Sequence, residues 1–199
     1  MNLQRMMGIA CAFCMAIPLF AQQYRAALPY RMVGEKMVVE MNINGRLRPL
    51  IFDTGGHTAL TAEACKALQI EPKDSMKVTD VNNKNNYYKK LHIWSLKTPD
   101  DKFNFKNVPA LVFDEVQGWD CFGVDGIIGS DLFVNNIVSI DSKAKTITVT
   151  SAEVPSAVSL RRMLNFSQAG RMPVVSIQIA PLSNINVLFD TGCPGLLSM

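Results

Sequence analysis

Apolar and polar side chains alternate over residues 37–44, and this period of two is typical of a half-buried β-strand. Asn44 and Gly45 follow, and the pair predicts a hairpin turn because both central residues of such a turn need a positive φ angle. Residues 47–52 return as a second, mostly apolar strand. The pattern therefore places Asp53 at the end of a strand.

The same reasoning predicts further strands and one short helix before residue 151. Residues 61–68 indicate the helix, and residues 76–94 indicate a hairpin with a polar, asparagine-rich tip. Strand and turn structure is expected over residues 97–114, and two strands over residues 137–140 and 146–150. Together these elements predict an all-β fold built from hairpins with a short helix.

The tetrapeptide Phe-Asp-Thr-Gly occurs twice, at residues 52–55 and 189–192. Before the second copy, residues 174–179 repeat the alternating strand and residues 185–189 repeat the apolar run. One isolated copy would most simply cap a turn or a helix start. Two copies with matching flanks instead indicate a pair of functional carboxylates.

Asp53 and Asp190 lie 137 positions apart in the chain (190 − 53). A carboxylate at the end of a buried strand is stable only if backbone N–H groups or a second ionisable group satisfy it. Gly55 and Gly192 have no Cβ, so they can adopt turn conformations that bring their amides close to the carboxylates.

With these motifs the chain resembles the pepsin and retropepsin superfamily of aspartic peptidases, in particular the bacterial retropepsin-like proteins. The resemblance rests on residues 52–55, 124–132 and 189–192. It covers residues 30–150 well, and the remainder only as the opening of a second lobe. It implies an acid-protease lobe of mixed β-hairpins with a short helix, followed by the first hairpin of a second lobe.

The resemblance also implies roles for particular residues. Asp53 and Asp190 would form a catalytic pair, and Tyr87 or Tyr88 would lie near the substrate on a flap that closes over an extended peptide. The alternative for the tyrosines is that they simply pack on the sheet. The remaining implied roles are support of the two aspartate loops by Thr54, Gly55, Thr191 and Gly192, and a segment behind the first loop formed by Ile127, Ile128 and Gly129. The chain departs from the family after each Asp-Thr-Gly, where Ser or Ala is usual and Gly56 and Cys193 stand here.

Residues 1–21 are predicted to be a signal peptide, with a short basic start, an apolar stretch and a cut after Ala21. The protein would then be secreted or periplasmic, with no membrane span after cleavage. A lipoprotein anchor at Cys11 or Cys14 is an alternative, although neither cysteine follows a convincing lipobox.

The predicted domain organisation continues with a first lobe over residues 22–150, a connector over residues 151–160 and an incomplete second lobe over residues 161–199. Few residues follow the second motif, so we hypothesise a truncated reading frame or a fragment of a two-lobed protein. A two-stranded hairpin is marginal on its own, and the second piece should therefore dock on the first lobe, bind another chain or stay loose.

Charge and rare residues exclude several classes of function. A net charge of +3 gives no reason to expect a nucleic-acid partner, and His57 and His92 are too few for a metal cluster, so neither a metal nor another cofactor is expected. After signal cleavage an odd number of cysteines remains, so at least one would be free or would pair between chains: Cys65, Cys121 and Cys193.

Two functions remain open from the sequence alone. The first is an aspartic endopeptidase that hydrolyses a peptide or protein substrate with a water activated between two aspartates. These would be Asp53 and Asp190 of one two-lobed chain, or Asp53 from each chain of a homodimer. The second is a catalytically incomplete peptide-binding module or an inactive fragment. A secreted β-rich domain without a groove would leave both aspartate loops unexplained.

Overall fold

The computed structural model describes residues 25–79, 84–113, 120–151, 164–169, 171–180 and 184–193. Within these ranges the chain forms thirteen β-strands and a single short α-helix, which confirms the predicted all-β fold class. The predicted signal peptide lies outside the described residues, as does the predicted connector except for Ser151, the last residue of a strand.

The strands assemble into a ten-stranded sheet and a separate three-stranded sheet. In chain order the elements of the large sheet and the helix are β1 (Arg25–Val33), β2 (Lys36–Ile43), β3 (Arg46–Asp53), β4 (Ala59–Thr61), α1 (Ala62–Leu68), β5 (Asp74–Thr79), β6 (Asn85–Lys97), β7 (Asn104–Phe113), β8 (Gly126–Gly129), β9 (Asn136–Asp141) and β10 (Thr146–Ser151). The small sheet consists of β11 (Phe166–Ala169), β12 (Met172–Ile177) and β13 (Ile185–Leu188).

The order of the large sheet is β5-β6-β7-β4-β8-β3-β2-β1-β10-β9, and a further pairing of β6 with β2 folds the sheet back on itself. Neighbouring strands are antiparallel except for the pairs β3–β8 and β4–β7, which are parallel. The short strand β8 thus lies between β3, which leads into the aspartate loop, and β4, which follows it. Because β8 pairs with both strands, it holds the two ends of the loop in place.

Local sequence explains the turn and the helix that flank this loop. Asn44 and Gly45 have φ angles of 49° and 90°, and the predicted tight turn between β2 and β3 is present. The helix α1 starts where the Thr61 side chain accepts a hydrogen bond from the Ala64 amide, and it ends at Gln69 in a left-handed conformation. Both observations agree with the predicted positions.

The hydrophobic core lies between the folded-back halves of the large sheet. Its fully buried side chains come from several strands and include Leu28, Met41, Phe52, Leu91, Ile128 and Ile147. The Phe52 and Phe133 rings are 5.7 Å apart between centroids. Because Phe52 is anchored in this core, the adjacent Asp53 has little freedom to move.

Four strands were not predicted from the sequence: β1, β4, β8 and β11. β1 alternates buried Ala26, Leu28 and Tyr30 with exposed residues, but Pro29 interrupts the run and weakens the strand pattern. The predicted hairpin of the second lobe is present as β12 and β13, and β11 adds an unpredicted third strand along β12. The added strand satisfies the backbone groups of β12 on both edges.

Candidate active site

Asp53 is the last residue of β3, and the parallel strand β8 runs directly beside it. Phe52 pairs with Ile128 and Asp53 with Gly129 in the register of these strands. Ile127 and Ile128 are buried, and a Cβ atom on Gly129 would collide with the backbone of residues 56–58. The absence of a side chain at Gly129 therefore allows β8 to support the aspartate loop at close range.

The second aspartate loop, which follows β13, meets the first loop in a reciprocal arrangement. A Cβ atom on Gly55 would collide with the Asp190 carboxyl group, and a Cβ atom on Gly192 would collide with the Asp53 carboxyl group. Each glycine amide also donates to the aspartate of its own loop, over 2.8 Å from Gly55 N to Asp53 Oδ1 and 2.7 Å from Gly192 N to Asp190 Oδ1. The two carboxyl groups thus lie next to each other, each framed by both glycines.

The threonines of the two motifs connect the loops through four hydrogen bonds. The Thr54 amide donates to Thr191 Oγ1 over 3.0 Å, and the Thr191 amide donates to Thr54 Oγ1 over 3.1 Å. Each hydroxyl in turn donates to a carbonyl at the base of the opposite loop, over 2.6 Å to Phe189 O and 3.0 Å to Phe52 O. The small sheet is therefore attached to the large one at the predicted site.

Burial and the second carboxyl group change the acidity of this pair. Burial, the charge of Asp190 and a side-chain hydrogen bond with Asp190 raise the pKa of Asp53 to about 7. The Gly55 amide and the charge of Lys36 act in the opposite direction on the same pKa. One proton is thus retained by the pair well above the pH at which an isolated aspartate ionises.

Lys36 is a neighbour of the pair that sequence reasoning missed. It begins β2, and its ammonium group donates to the Gly192 carbonyl oxygen across 156 positions of chain. This contact links strand β2 to the second aspartate loop. No motif surrounds Lys36, so only the fold reveals its proximity to the carboxylates.

Gly56, where the family usually has Ser or Ala, packs against Asp53. A Cβ atom on Gly56 would lie 2.7 Å from Asp53 Oδ2, which is closer than real Cβ contacts. A larger residue would therefore need the loop to shift. Cys193, in the corresponding position of the second loop, is half-buried.

The two predicted flap tyrosines have different environments on β6. Tyr87 has 74% of its surface exposed, whereas Tyr88 is half-buried and its ring meets Phe113 edge-on at 5.5 Å between centroids. Tyr88 thus packs on the sheet, and Tyr87 is the tyrosine that faces solvent. The tip at residues 80–83 lies outside the described residues.

A second polar cluster lies beside the loop and was also missed from sequence. Asp131 accepts hydrogen bonds from the Thr58 amide over 3.0 and 3.2 Å and from the Thr58 hydroxyl over 2.7 Å, and His57 Nδ1 lies 3.6 Å away. Although burial alone would raise it, the hydrogen bonds from His57 and Thr58 hold the pKa of Asp131 below its usual value. Its position two residues after Gly129, inside the segment that carried the family resemblance, was the available signal.

The described ranges contain no group of three or more His, Cys, Asp or Glu residues able to hold a metal ion. No helix within them is long and apolar enough to cross a membrane.

Comparison with protein families identifies the class to which the site points. Residues 39–132 match the model of a family described as aspartyl protease, and this range includes the first aspartate loop and β8. The match confirms the resemblance predicted from sequence: over residues 39–132 the chain is similar to the aspartyl proteases. A search of curated proteins gave no match.

Solved structures of 25 chains match this chain. Three of them have sequence identities of 10% to 16% to it. A retropepsin-like aspartic protease from Rickettsia conorii is 16% identical with a TM-score of 0.47, over 65% of this chain and 94% of that chain. An aspartic proteinase from Irpex lacteus is 16% identical with a TM-score of 0.43, over 67% of this chain and 49% of that chain. A structure titled edgp is 10% identical with a TM-score of 0.45, over 79% of this chain and 53% of that chain. This chain therefore spans about half the length of the last two.

Proposed function

We propose that the protein is an aspartic endopeptidase in which Asp53 and Asp190 of one chain form the catalytic pair. The observation that carries the proposal is the reciprocal packing of the two loops, in which the glycine of each loop lies against the carboxyl group of the other. The family match supports the same chemistry. The substrate would be a peptide or protein in extended conformation.

The mechanism follows from a pair that shares one proton. The ionised carboxylate takes a proton from a water bound between the two groups, and the water oxygen attacks the carbon of the scissile carbonyl. The protonated carboxyl group donates its proton to the carbonyl oxygen, which gives a neutral tetrahedral intermediate. Return of a proton to the leaving nitrogen breaks the C–N bond and releases an amine and a carboxylic acid.

The hydrogen bonds of the loops support the geometry that this mechanism requires. Gly55 and Gly192 each donate one amide hydrogen to Oδ1 of the aspartate in their own loop, which orients the carboxyl planes. The crossed threonine bonds hold the two loops in a fixed separation. Such prior orientation lowers the barrier because the reacting groups need not be assembled during the reaction.

A homodimer with two copies of Asp53 is less compatible with these contacts. Asp190 occupies the space that faces Asp53, and Thr191 uses the hydrogen-bonding groups of Thr54. A second chain could supply its Asp53 only after the Asp190 loop had moved away. We therefore propose that the pair forms within one chain.

The alternative function is peptide binding without cleavage. It would follow if the carboxyl pair failed to hold an attacking water, and Gly56 is the feature that favours it, because this position provides no side-chain hydroxyl to hydrogen-bond with Asp53. Peptide affinity without turnover in the unsubstituted protein would support this alternative.

For localisation, we propose export guided by the predicted signal peptide at residues 1–21.

The deciding experiment is cleavage of an unfolded protein by residues 22–199 between about pH 4 and pH 7, where a carboxyl pair holding one proton is competent. Asp53→Asn and Asp190→Asn should each abolish cleavage, because neither variant can both donate and accept the required protons. Mass spectrometry of the products would locate the cut bonds.

Asp101→Asn is the matched control for these substitutions. Asp101 is exposed, its φ angle is 56°, and its carboxylate lies 3.1 Å from Lys97 at the surface. Asparagine tolerates this conformation well, so cleavage should persist. Cleavage that survives in Asp53→Asn or in Asp190→Asn would overturn the assignment of the pair.

A further inference from the structure

A concavity of about 290 Å³ opens beside the first aspartate loop. Its walls come from five parts of the chain: the loop after Gly56, the hairpin β5–β6, strand β7, Asp131 after β8, and Arg171 between β11 and β12. Gly56 packs against Asp53, and His57, the next residue, lines the concavity. A peptide held at the aspartates would therefore pass directly beside this concavity.

The floor of the concavity is apolar. Met76, Ala110 and Leu111 contribute to the lining, and Ala110 and Leu111 are almost fully buried. Such a surface accommodates the methylene groups of a side chain. Apolar walls also exclude water from charged groups at the rim and strengthen their interactions.

The rim carries positive charge that the described residues do not neutralise. Lys90 and Arg171 line the concavity, and no ion pair of either side chain occurs among the described residues. Asp74 is opposite Lys90 in the strand register, but it is exposed and forms no ion pair with Lys90. An adjoining concavity of about 200 Å³ shares Arg171 and adds Lys106.

The single carboxylate in the lining is already engaged. Asp131 accepts three hydrogen bonds from Thr58 and lies beside His57, so its charge is directed into the protein. The lining thus combines Asp131, whose carboxylate is already hydrogen-bonded, with Lys90 and Arg171, whose charges remain available to a ligand. This arrangement complements a negative group better than a neutral or positive one.

We propose that this concavity is a specificity site for an acidic side chain of the peptide substrate, with glutamate as the best fit. The methylene groups of the glutamate lie on Met76 and Leu111, and its carboxylate lies between Lys90 and Arg171. Charge-assisted hydrogen bonds to both cations favour the ionised carboxylate over an amide of the same shape. The proposal rests on the proposed function, since it names the class of substrate for that site.

The test uses peptides that differ only by Glu, Gln or Lys at each position near a mapped cleavage bond. At about pH 6, where a glutamate side chain is ionised, we expect one position at which Glu raises kcat/KM roughly 10-fold or more over Gln. Lys at that position should be the poorest substrate. Equal kcat/KM for Glu and Gln at every position would overturn the proposal.

Variants locate the preference. Lys90→Gln and Arg171→Gln should each reduce the Glu-over-Gln ratio several-fold, and the double variant should remove it. Lys90→Glu should shift the preference toward the Lys peptide. Lys77→Gln is the matched control, because Lys77 is an exposed lysine of β5 outside the concavity, and it should leave the ratio unchanged. A ratio that persists in the double variant would contradict the proposal.

Binding separates failure of this site from failure of the catalytic pair. The Asp53→Asn protein should bind the Glu peptide more tightly than the Gln peptide by a similar factor, measured by calorimetry or fluorescence anisotropy. Absent cleavage with retained Glu preference in binding would overturn the peptidase and support this site. Cleavage without any Glu preference would support the peptidase and overturn this site.

Discussion

Thr54 and Thr191 are each hydrogen-bonded through both backbone and side chain to the other's loop. Each amide donates to the other threonine's hydroxyl, over 3.0 and 3.1 Å, and each hydroxyl donates to a carbonyl of the opposite loop. Two segments 137 positions apart thus satisfy one another's polar groups.

Removing one threonine hydroxyl should weaken both stability and activity. Thr54→Val leaves the Thr191 amide without its acceptor and the Phe189 carbonyl without a donor, which we expect to cost about 1–3 kcal/mol in the free energy of unfolding. Thr191→Val should have a similar effect. Thr54→Ser keeps the hydroxyl and should retain most of the stability. Denaturant unfolding measures these differences, and equal midpoints for the Val and Ser variants would contradict the prediction.

Adding a methyl group at either motif glycine should disrupt the carboxyl pair. Gly55→Ala and Gly192→Ala place a Cβ atom against the opposite carboxyl group, so the two carboxyl groups must separate. A displacement of about 1 Å costs on the order of 100-fold in rate, and kcat should fall at least that much. Gly123→Asn is the control, since Gly123 has open space around it and a φ angle of 57°, a left-handed conformation that Asn tolerates. Unchanged kcat in Gly55→Ala would contradict the packing of Gly55 against the Asp190 carboxyl group.

The raised pKa of Asp53 predicts that stability falls as pH rises. The folded protein retains a proton at Asp53 up to about pH 7, whereas the unfolded chain releases it near pH 3.8, so between these values the folded state binds more protons. This contribution to stability is fully present below about pH 3.8 and is lost as pH rises through about 7. Because each pKa unit is worth about 1.4 kcal/mol, we expect a loss of at most about 4 kcal/mol from pH 4 to pH 8.

Asp53→Asn isolates this contribution because the amide does not titrate. The unfolding free energy of the variant should show a smaller decline over the same pH range, and at pH 8 the variant should be at least as stable as the unsubstituted protein. Denaturant unfolding at several pH values measures both curves. Parallel curves would show that the pKa of Asp53 is the same in the folded and unfolded states.

Lys36 should affect the alkaline limit of activity. Its charge lowers the pKa of Asp53, and its ammonium group donates to the Gly192 carbonyl oxygen. Lys36→Met should therefore raise the pKa of Asp53 and shift the alkaline limb of the pH–rate profile to higher pH. Lys36→Arg keeps the charge and should restore the original profile. A profile that does not move in Lys36→Met would show that Lys36 has no electrostatic effect on the pair.

Local structure and the chemistry of the two motifs can be predicted from the sequence. The alternation over residues 37–44 and the Asn44-Gly45 turn encode β2 and β3, because period and turn residues act over a few neighbours. The repeated Phe-Asp-Thr-Gly motif indicated Asp53 and Asp190 as a pair. β1 was not predicted because Pro29 interrupts its alternating pattern. β11 of the small sheet was not predicted because its four residues are too few to show a period.

How these pieces meet depends on contacts that form only in the folded protein. The placement of Gly55 against Asp190, the contact of Lys36 with Gly192, and the concavity between Lys90 and Arg171 join residues far apart in sequence. Such contacts depend on how strands order themselves in the sheet, with β8 between β3 and β4. No local pattern specifies that order, because it results from burying the whole core and satisfying every strand's backbone at once.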